Sequence, residues 1–409
     1  MRVIVLNTGT EILLGKVLNT HLTFIARAIF PLGLRVDRQE TVPDGPAIRE
    51  LLEAALAAAD IIFVTGGLGP TTDDVTREAA SELLEVELET DPAVAAKITQ
   101  RLATRGFPMT DRILRQAMVP IGAEVLPNDN GTAPGLYLIT QRALTKHLFL
   151  LPGPPRELEP MFRESVLPIL AKIAPHTAVI ECRTFRIAGV GESVVEAAVG
   201  PQLVALADLE LGYCARAGEV DVRLLGPSPV LDKAERLLRD AFAKSIFTSE
   251  DENLEDVVVR MLTKRGETIA TAESCTGGYL AHRLTNVPGA SAVFHAGYVT
   301  YGNEAKAGAL GVDPALIEAH GAVSEPVCRA MAEGALRAAG ATHALATTGI
   351  AGPGGGSVEK PVGTVFIALA SVNQATQVQQ RRFQTDRESF KHLVTQVALE
   401  LLRQTLLPA

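Results

Sequence analysis

Short apolar segments alternate with helix-patterned segments along two long stretches of this 409-residue chain. Residues 3–6 and 61–65 are strand candidates in the first stretch, and residues 268–271 and 343–348 are strand candidates in the last. Strands that alternate with helices favour right-handed crossovers and mostly parallel sheets. The pattern therefore predicts an α/β fold, in which ligands bind where the parallel strands end.

In the middle of the chain the regular alternation stops, and a few strand and helix candidates follow within a short span. We therefore expect two three-layer α/β domains with mostly parallel sheets, residues 1–170 and 253–409. A small α+β module with a linker, residues 171–252, is expected to join them. No apolar run approaches the roughly 20 residues that span a bilayer, and the apolar N-terminus lacks a signal-peptide cleavage pattern. A cytoplasmic protein without membrane association is expected.

Charge and cysteine usage exclude several functional classes. The chain has 38 basic and 47 acidic residues, a formal charge of −9, no tryptophan and only 4% aromatic residues. Such a chain favours neither the phosphate backbone nor the stacked bases of nucleic acid, so no direct nucleic-acid binding is expected. Cys182, Cys214, Cys275 and Cys328 form no Cys-x-x-Cys pair, which weighs against a zinc site and fits a reducing compartment.

A glycine-rich loop follows the strand candidate 61–65 and precedes a helix, with the sequence Thr65-Gly-Gly-Leu-Gly-Pro-Thr-Thr-Asp-Asp74. Glycines let backbone N–H groups approach a ligand closely, and the helix N-terminus adds positive potential. The loop matches neither the Walker A motif nor the dinucleotide fingerprint. It predicts a phosphate site whose binding residues are Gly66, Gly67, Gly69 and Thr71.

Two adjacent aspartates, Asp73 and Asp74, would face a phosphate held by this loop. Two carboxylates repel a phosphate unless a divalent cation lies between them, so a magnesium-type metal is implied. In the alternative interpretation, one of the aspartates only caps the helix that starts at Val75. The two roles can coexist.

Ser274 lies where an apolar strand candidate turns into a helix, in Thr271-Ala-Glu-Ser-Cys-Thr-Gly-Gly278. A hydroxyl at such an elbow is exposed, and nearby backbone N–H groups could hold a developing oxyanion. The Gly-x-Ser-x-Gly pattern of a nucleophile elbow is absent. The alternative is that Ser274 only caps the helix and that the glycines only turn the chain.

A serine nucleophile needs a base, because its hydroxyl is weakly nucleophilic near neutral pH. His282 and His295 have the context of ordinary helix and strand residues. Lys306, in Tyr301-Gly-Asn-Glu-Ala-Lys306, is the other candidate, provided that its pKa falls from about 10.4 toward 7–8. Tyr301 could relay or orient the proton. A lysine in such a turn is otherwise simply solvated.

A second glycine-rich segment, residues 347–357, follows the strand candidate 343–348. Successive backbone N–H groups in such a loop could cradle a phosphate, or the loop could close over a ribose. The alternative is a flexible connection without a ligand.

Several motifs of the first 165 residues resemble a molybdopterin-binding-like domain in the form found in the competence/damage-inducible CinA family. They are Thr8-Gly-Thr-Glu-Ile-Leu-Leu-Gly15, Val42-Pro-Asp44, Gly66-Gly-Leu-Gly-Pro70, Gly131-Thr-Ala-Pro-Gly135 and Leu151-Pro-Gly-Pro-Pro155. The resemblance implies a loop that holds nucleotide phosphates, a metal assisted by Asp44 and Asp74, and metal-dependent hydrolysis of the ADP-ribose pyrophosphate bond. Leu68 stands where molybdopterin adenylyltransferases have threonine, which argues against pterin chemistry.

Residues 255–408 resemble the CinA C-terminal domain, the nicotinamide mononucleotide deamidase family. The matching motifs are the Ser274 elbow, the Tyr301–Lys306 segment, Gly321-Ala-Val-Ser-Glu325 and Gly349-Ile-Ala-Gly-Pro-Gly-Gly-Gly-Ser357. The resemblance implies that Ser274 is the nucleophile, activated by Lys306 with Tyr301, and that an acyl-enzyme releases ammonia without a metal.

The same resemblance gives a set of substrate-binding residues: Glu273, Thr276, Gly277, Gly278, Thr348, Gly349, Gly352 and Arg387. For Glu273 the role is to orient either the ribose or the elbow. Arg387 is a phosphate candidate, but Lys391 stands where relatives often carry a second arginine, which puts a bidentate clamp in doubt.

We therefore interpret the chain as a hydrolase of pyridine-nucleotide recycling that acts on nicotinamide mononucleotide and ADP-ribose, and we expect a homodimer. The first alternative is a molybdopterin-type nucleotidyl transferase, which the loop from Gly66 to Asp74 motivates. The second is a non-enzymatic competence or DNA-damage adaptor that binds a recombination protein, which the acidic charge permits and does not require.

Overall fold

A computed structural model of the chain describes residues 1–140, 145–174 and 180–408. Residues 175–179 of the predicted middle module and the last residue of the predicted C-terminal domain lie outside the described residues. Contacts between residues divide the chain into two compact units, Met1–Val179 and Ile180–Ala409. Within the described ranges, each helix is too short or too polar to cross a membrane.

The first unit alternates strands and helices. Its strands are β1 (Val3–Thr8), β2 (Val36–Val42), β3 (Ile61–Thr65), β4 (Leu88–Thr90), β5 (Met118–Pro120), β6 (Glu124–Leu126), β7 (Gly135–Thr140) and β8 (Lys146–Leu151). Its helices are α1 (Thr10–Leu13), α2 (His21–Ile29), α3 (Ala47–Ala58), α4 (Thr76–Leu84), α5 (Pro92–Thr104), α6 (Asp111–Leu114), α7 (Pro155–Met161) and α8 (Leu167–Ile173). Two 3-10 turns, Phe30–Leu32 and Arg115–Ala117, and a π-helical turn, Phe162–Val166, complete it.

The main sheet of this unit has the strand order β2-β1-β3-β8-β7-β6. The first four strands are parallel, β7 pairs antiparallel with β8, and β6 pairs antiparallel with β7 at the edge. Successive side chains of a strand point to opposite faces: Val5 and Phe63 belong to one core cluster, and Leu6 and Val64 to the other. Both faces are therefore covered, as a three-layer α/β domain requires.

The second unit begins with an antiparallel sheet, β10-β11-β9-β12. Its strands are β9 (Glu181–Ala188), β10 (Glu210–Arg216), β11 (Glu219–Gly226) and β12 (Ile246–Thr248), and its helices are α9 (Glu192–Val204) and α10 (Ser228–Phe242). Both helices pack with β11 in one core cluster that includes Val195, Val222 and Leu231. The arrangement is α+β, as the sequence predicts.

The rest of the second unit is again α/β. Its strands are β13 (Ile269–Glu273), β14 (Phe294–Val299), β15 (His343–Gly349), β16 (Thr364–Ser371) and β17 (Gln377–Arg382). Its helices are α11 (Leu254–Arg265), α12 (Tyr279–Thr285), α13 (Asn303–Leu310), α14 (Pro314–His320), α15 (Glu325–Ala339) and α16 (Arg387–Leu406). A 3-10 turn, Ala290–Ala292, precedes β14.

This sheet has the order β14-β13-β15-β16-β17, in which only the first three strands are parallel neighbours. The next two strands, β16 and β17, join by antiparallel pairing. A parallel return needs a crossover, usually a helix. The glycine-rich connection from Ile350 to Gly363 contains none, so the chain comes back antiparallel.

Candidate functional site

The carboxyl ends of β13, β14 and β15 bring the predicted residues of the second unit together. The Ser274 N–H donates to Thr347 O at 2.9 Å, and the Thr300 N–H donates to Glu273 O at 2.9 Å. Ser274 thus follows β13, the middle one of the three parallel strands. Its side chain is half-buried, so the hydroxyl remains reachable from one side.

Lys306 lies directly beside this serine. Its Nζ is 3.2 Å from Ser274 Oγ, and it donates to Thr300 O at 2.9 Å and to Tyr301 O at 3.2 Å. The lysine is only 1% exposed, and among the described residues no carboxylate forms an ion pair with it. Burial lowers the pKa of Lys306, because its surroundings solvate the charged ammonium poorly.

This geometry suits a general base. A neutral lysine amine has two hydrogens and one lone pair. The two hydrogens can be donated to the carbonyls of Thr300 and Tyr301, which leaves the lone pair for the Ser274 hydroxyl proton. The 3.2 Å separation is at the upper end of the reach of a general base.

The carboxylate of Glu273 holds the elbow. It is 0% exposed and accepts the backbone N–H groups of Gly278 at 3.0 Å, Leu280 at 2.9 Å and Ala281 at 2.8 Å. These donors form the first turn of α12, where a carboxylate is favourable. Of its two predicted roles, Glu273 therefore fits orientation of the elbow and has no free face for a ribose.

The remaining elbow residues turn the chain. Thr276 is fully buried, and its Oγ1 is 2.7 Å from Thr347 Oγ1. Its hydroxyl fastens the elbow to β15 and is not available to a substrate, so the predicted substrate contact of Thr276 is restricted to its backbone. Gly277 and Gly278 have φ of +62° and +92°, a region that favours glycine. They allow α12 to start directly after the turn.

Tyr301 and Arg387 meet at the mouth of the site. The Tyr301 side chain is 61% exposed, and its hydroxyl accepts from Arg387 Nη2 at 3.0 Å. Arg387 Nη1 donates to Gly352 O at 2.9 Å, so the arginine bridges Tyr301 to the glycine-rich loop. Within the described part of the chain, Tyr301 touches Lys306 through its carbonyl, and its hydroxyl hydrogen-bonds to Arg387 rather than to Ser274.

Thr348 and Gly349, at the end of β15, make buried contacts that fix the start of the glycine-rich loop. The Thr348 hydroxyl is buried and donates to Ala322 O at 2.8 Å. A Cβ on Gly349 would lie 2.8 Å from Thr364 O, so only glycine fits there. Thr348 therefore has no free hydroxyl for a substrate. Sequence reasoning missed Thr300, whose carbonyl accepts from Lys306, and Thr347, whose partner Thr276 lies in a distant segment.

The first unit carries a separate cavity of about 410 Å³ where its parallel strands end. Six of the predicted residues line it: Gly66, Gly67, Gly69, Asp44, Asp73 and Asp74. The cavity is also lined by Glu11, Gln116 and Glu157, which sequence reasoning did not identify. Glu11 and Glu157 lie in or beside quoted motifs that gave no reason to single them out, and the three residues reach the cavity from different elements.

The loop approaches its neighbours too closely for side chains. Gly66 and Gly67 have φ of +98° and +69°, and a Cβ on Gly67 would lie 2.1 Å from Thr76 Oγ1. A Cβ on Gly69 would meet Asp74 Oδ2 at 2.5 Å. The wall of the cavity is therefore bare backbone here, as a phosphate loop requires.

The aspartates of this cavity are held by threonines. Asp74 Oδ2 accepts the Thr71 N–H at 2.8 Å and the Thr71 hydroxyl, and Asp44 Oδ2 accepts the Thr10 N–H at 3.0 Å. Thr71 thus contacts Asp74 and is absent from the residues that line the cavity. A hydrogen bond from Thr71 lowers the pKa of the exposed Asp73 carboxyl.

The capping interpretation is wrong for both Asp73 and Asp74. The helix α4 starts at Thr76, and its N-cap position, Val75, has no side-chain hydrogen bond to the helix. The carboxylate of Asp74 is engaged by Thr71, outside the helix.

A divalent cation fits this cavity only together with a phosphate ligand. The described ranges contain no group of three or more histidine, cysteine, aspartate or glutamate side chains that could hold a metal ion. Magnesium is commonly held by one or two carboxylates plus phosphate oxygens and waters. Asp44 and Asp74, which line the same cavity as the loop, meet that lower requirement.

Comparisons with known proteins match both ends of the chain. Residues 4–172 match the model of a probable molybdopterin binding domain, and residues 251–406 match the model of the CinA C-terminal domain. A CinA-like protein of Akkermansia muciniphila is 47% identical and covers 98% of this chain and 96% of its own length. A putative competence-damage inducible protein of Moorella thermoacetica is 43% identical over 98% and 97%.

A solved structure of a relative matches part of the chain. The crystal structure of the competence/damage inducible protein CihA from Agrobacterium tumefaciens is 41% identical and covers 38% of this chain and 97% of its own, with a TM-score of 0.36. The full-length relatives decide the assignment, because their identity extends over nearly the whole chain. The chain belongs to the CinA family of competence/damage-inducible proteins, with a molybdopterin-binding-like domain followed by a CinA C-terminal domain.

Proposed function

We propose that the C-terminal site hydrolyses the amide of nicotinamide mononucleotide to the carboxylate and releases ammonia. The observation that carries this proposal is the buried Lys306 Nζ, 3.2 Å from Ser274 Oγ and without a carboxylate partner in the described chain. The choice of substrate rests on the family resemblance, and the choice of chemistry rests on this serine–lysine pair.

In the proposed reaction, Ser274 Oγ attacks the amide carbon while Lys306 accepts the hydroxyl proton. The tetrahedral intermediate collapses, the C–N bond breaks, and the proton passes from Lys306 to the leaving nitrogen, which departs as ammonia. Water then attacks the ester on Ser274 with Lys306 again as the base. The products are the carboxylate and the free serine, and no metal or redox partner is required.

Backbone N–H groups after the nucleophile support this mechanism. The Ser274 N–H is already donated to Thr347 O. Those of Cys275 and Thr276 directly follow the nucleophile and donate to no backbone carbonyl among the described residues. Donors of this kind stabilise an oxyanion as it develops. Arg387 at the mouth is the candidate for the phosphate of the nucleotide.

Ammonia release from nicotinamide mononucleotide by wild type, Ser274→Ala and Ser193→Ala tests the proposal. Ser193 is an exposed serine in α9, so its variant controls for the loss of a hydroxyl. We expect Ser274→Ala to lose at least about 10³-fold in rate, and Ser193→Ala to match wild type. Equal release by Ser274→Ala and wild type would show that Ser274 is not the nucleophile.

For the first unit, we propose metal-dependent hydrolysis of the pyrophosphate bond of ADP-ribose. The cavity of about 410 Å³, with its bare glycine loop beside Asp44 and Asp74, supports a phosphate-bearing substrate. The metal, when bound with the substrate, would neutralise phosphate charge. Asp44 and Asp74 would hold it, Thr71 and Thr10 would fix those carboxylates, and the loop backbone would position the phosphates.

Product formation from ADP-ribose, with and without a divalent cation, tests this second activity. We expect Asp74→Asn to lose about 10²-fold or more, because one carboxylate for the cation is gone. The control is Asp111→Asn, because Asp111 is an exposed aspartate outside the cavity. Glu78→Gln would not serve, because Glu78 is hydrogen-bonded to Arg115. An equal rate of ADP-ribose hydrolysis with and without a divalent cation would contradict the proposed mechanism.

A further inference from the structure

Arg283 is a buried arginine in α12, the helix that follows the Ser274 elbow. It is 6% exposed, and its guanidinium is held by two neighbouring helices. Its Nη2 donates to Glu255 Oε2 of α11 at 2.6 Å, and its Nη1 donates to Thr395 Oγ1 of α16 at 2.9 Å. Because a guanidinium donates in fixed directions, these contacts define the position of α12 relative to α11 and α16.

The position of α12 affects the nucleophile because this helix is short and starts soon after Ser274. It has seven residues, and its first turn is held by Glu273, which accepts the Leu280 N–H at 2.9 Å. Arg283 fixes the last turn in the same way. A short helix that is held at both ends cannot rotate, so the elbow before it keeps its place. A displacement of about 1 Å at a reacting group can lower a rate about 10²-fold.

One glutamine joins the same guanidinium to the α+β module that contains β9 to β12. Arg283 Nη2 also donates to Gln396 Oε1 at 2.7 Å, and Gln396 Nε2 donates to Glu219 Oε2 at 2.9 Å. Gln396 lies in α16 and is 2% exposed, and Glu219 is the first residue of β11. An amide both accepts and donates, so Gln396 can connect a cation with a carboxylate. The α+β module is thereby linked to the helix that follows the nucleophile.

We propose that Arg283 positions the Ser274 elbow, and that the α+β module supports this position through Glu219. The inference rests on the proposed function in taking Ser274 as the nucleophile. Within the described residues, Arg283 hydrogen-bonds to α11 and α16 and not to Ser274 or Lys306. It is therefore a positioning residue, whose loss should change the turnover number more than the binding of substrate.

Steady-state ammonia release from nicotinamide mononucleotide by the full chain tests the role of Arg283. We expect Arg283→Met to lower kcat about tenfold and to change KM less than about twofold, because the elbow moves while the mouth of the site stays. Arg283→Lys should recover most of this loss, since its ammonium can still donate to Glu255 and Gln396. A wild-type kcat in Arg283→Met, or a loss confined to KM, would overturn the proposal.

A double-mutant cycle tests the link to the α+β module. Glu219→Ala removes the acceptor of Gln396, and Gln396→Met removes the connection while Arg283 keeps its contact with Glu255. We expect each variant to lower kcat about two- to fivefold, and the double variant to fall no further than Gln396→Met alone. Fold losses that multiply in the double variant would show that Glu219 acts without Gln396. The matched control is Gln374→Met, at an exposed glutamine.

Stability is measured on the same preparations, because a buried arginine also supports the fold. Leu231→Ala, in the core of the α+β module, lowers the melting temperature without touching the three linked side chains. Its kcat, measured below its melting temperature, should equal that of wild type. If kcat in Leu231→Ala falls as it does in the Arg283 and Gln396 variants, stability and not position explains the losses. Should Arg283→Met fail to fold, Arg283→Lys and Gln396→Met decide, and a wild-type kcat in both would overturn the proposal.

Labelling of Ser274 by phenylmethylsulfonyl fluoride separates this inference from the proposed hydrolysis. The serine oxygen attacks sulfur, its proton passes to Lys306, fluoride leaves, and mass spectrometry follows the sulfonylated serine. If wild type is labelled faster than Arg283→Met and Gln396→Met but does not hydrolyse nicotinamide mononucleotide, the proposed substrate fails and the positioning role stands. If wild type hydrolyses it and the variants keep the wild-type kcat, the positioning role alone fails. Neither labelling nor hydrolysis by wild type withdraws both.

Discussion

Among the described residues, the hydrogen-bond partners of the Lys306 amine are all neutral oxygen atoms. These are the Ser274 hydroxyl and the carbonyls of Thr300 and Tyr301. A buried lysine paired with a carboxylate keeps its proton, whereas one surrounded by neutral groups loses it more easily. The lowered pKa of Lys306 therefore has a structural cause, and it makes the amine available as a base at a lower pH than that of a solvated lysine.

We predict that Lys306→Met lowers the rate of ammonia release by about 10²–10⁴-fold, the usual contribution of a general base. In wild type the rate should rise with pH and level off above the lowered pKa, because only the neutral amine accepts a proton. The variant should lose that rise. A wild-type rate and pH profile in Lys306→Met would remove the lysine from the mechanism.

Stability gives an independent readout of the same residue. Between the lowered pKa of folded Lys306 and the unfolded value of about 10.4, the unfolded chain binds more protons than the folded chain. The free energy of unfolding of wild type therefore rises with pH in this window. Lys306→Met lacks this component, so its stability advantage should be largest below the window and shrink through it in urea titrations.

At the scale of elements, the elbow depends on a carboxylate at the start of α12. This helix has only seven residues and no side-chain cap at Gly278, so the hydrogen bonds from Gly278, Leu280 and Ala281 to Glu273 carry its first turn. Because Glu273 is the last residue of β13, the same carboxylate fixes the angle between strand and helix. Ser274 lies at that angle.

We predict that Glu273→Gln destabilises the chain by about 1–3 kcal/mol, because the amide N–H₂ group would face backbone N–H donors. The turnover number of ammonia release should fall more than KM changes, since the variant disturbs the position of Ser274 and not the mouth of the site. Glu304→Gln, at an exposed position in the first turn of α13, is the control. Unchanged stability and turnover in Glu273→Gln would contradict the assigned role.

At the scale of the whole molecule, periodicity carries the prediction of the fold. The central strands of both α/β sheets contain short apolar segments, so residues 61–65 and 343–348 could be identified directly, and they correspond to β3 and β15. The strands β6 and β7 were not predicted. β6 has only three residues, too few to show a period, and both strands join the sheet by antiparallel pairing with the next strand along the chain, β6 with β7 and β7 with β8.

The candidate sites, like the fold, could be predicted only where a local sequence pattern exists. Motifs identified the residues that form the loops, including Ser274, Lys306 and the glycines. They could not identify what each side chain contacts, because those partners come from distant segments. Thr276 and Thr348 were therefore predicted to bind substrate although both are buried and paired. Gln116 was missed because a single glutamine before a short strand carries no signal.

The central claim is that Ser274 forms an acyl-enzyme, and hydroxylamine partitioning tests it most directly. The wild-type chain is given nicotinamide mononucleotide with increasing hydroxylamine, and the carboxylate and hydroxamate products are separated. We predict that hydroxamate replaces carboxylate in proportion to hydroxylamine, and that Ser274→Ala forms neither product, because both arise from the ester on Ser274. Ammonia release by wild type with carboxylate as the sole product at every concentration, or hydroxamate formed equally by Ser274→Ala, would contradict this account.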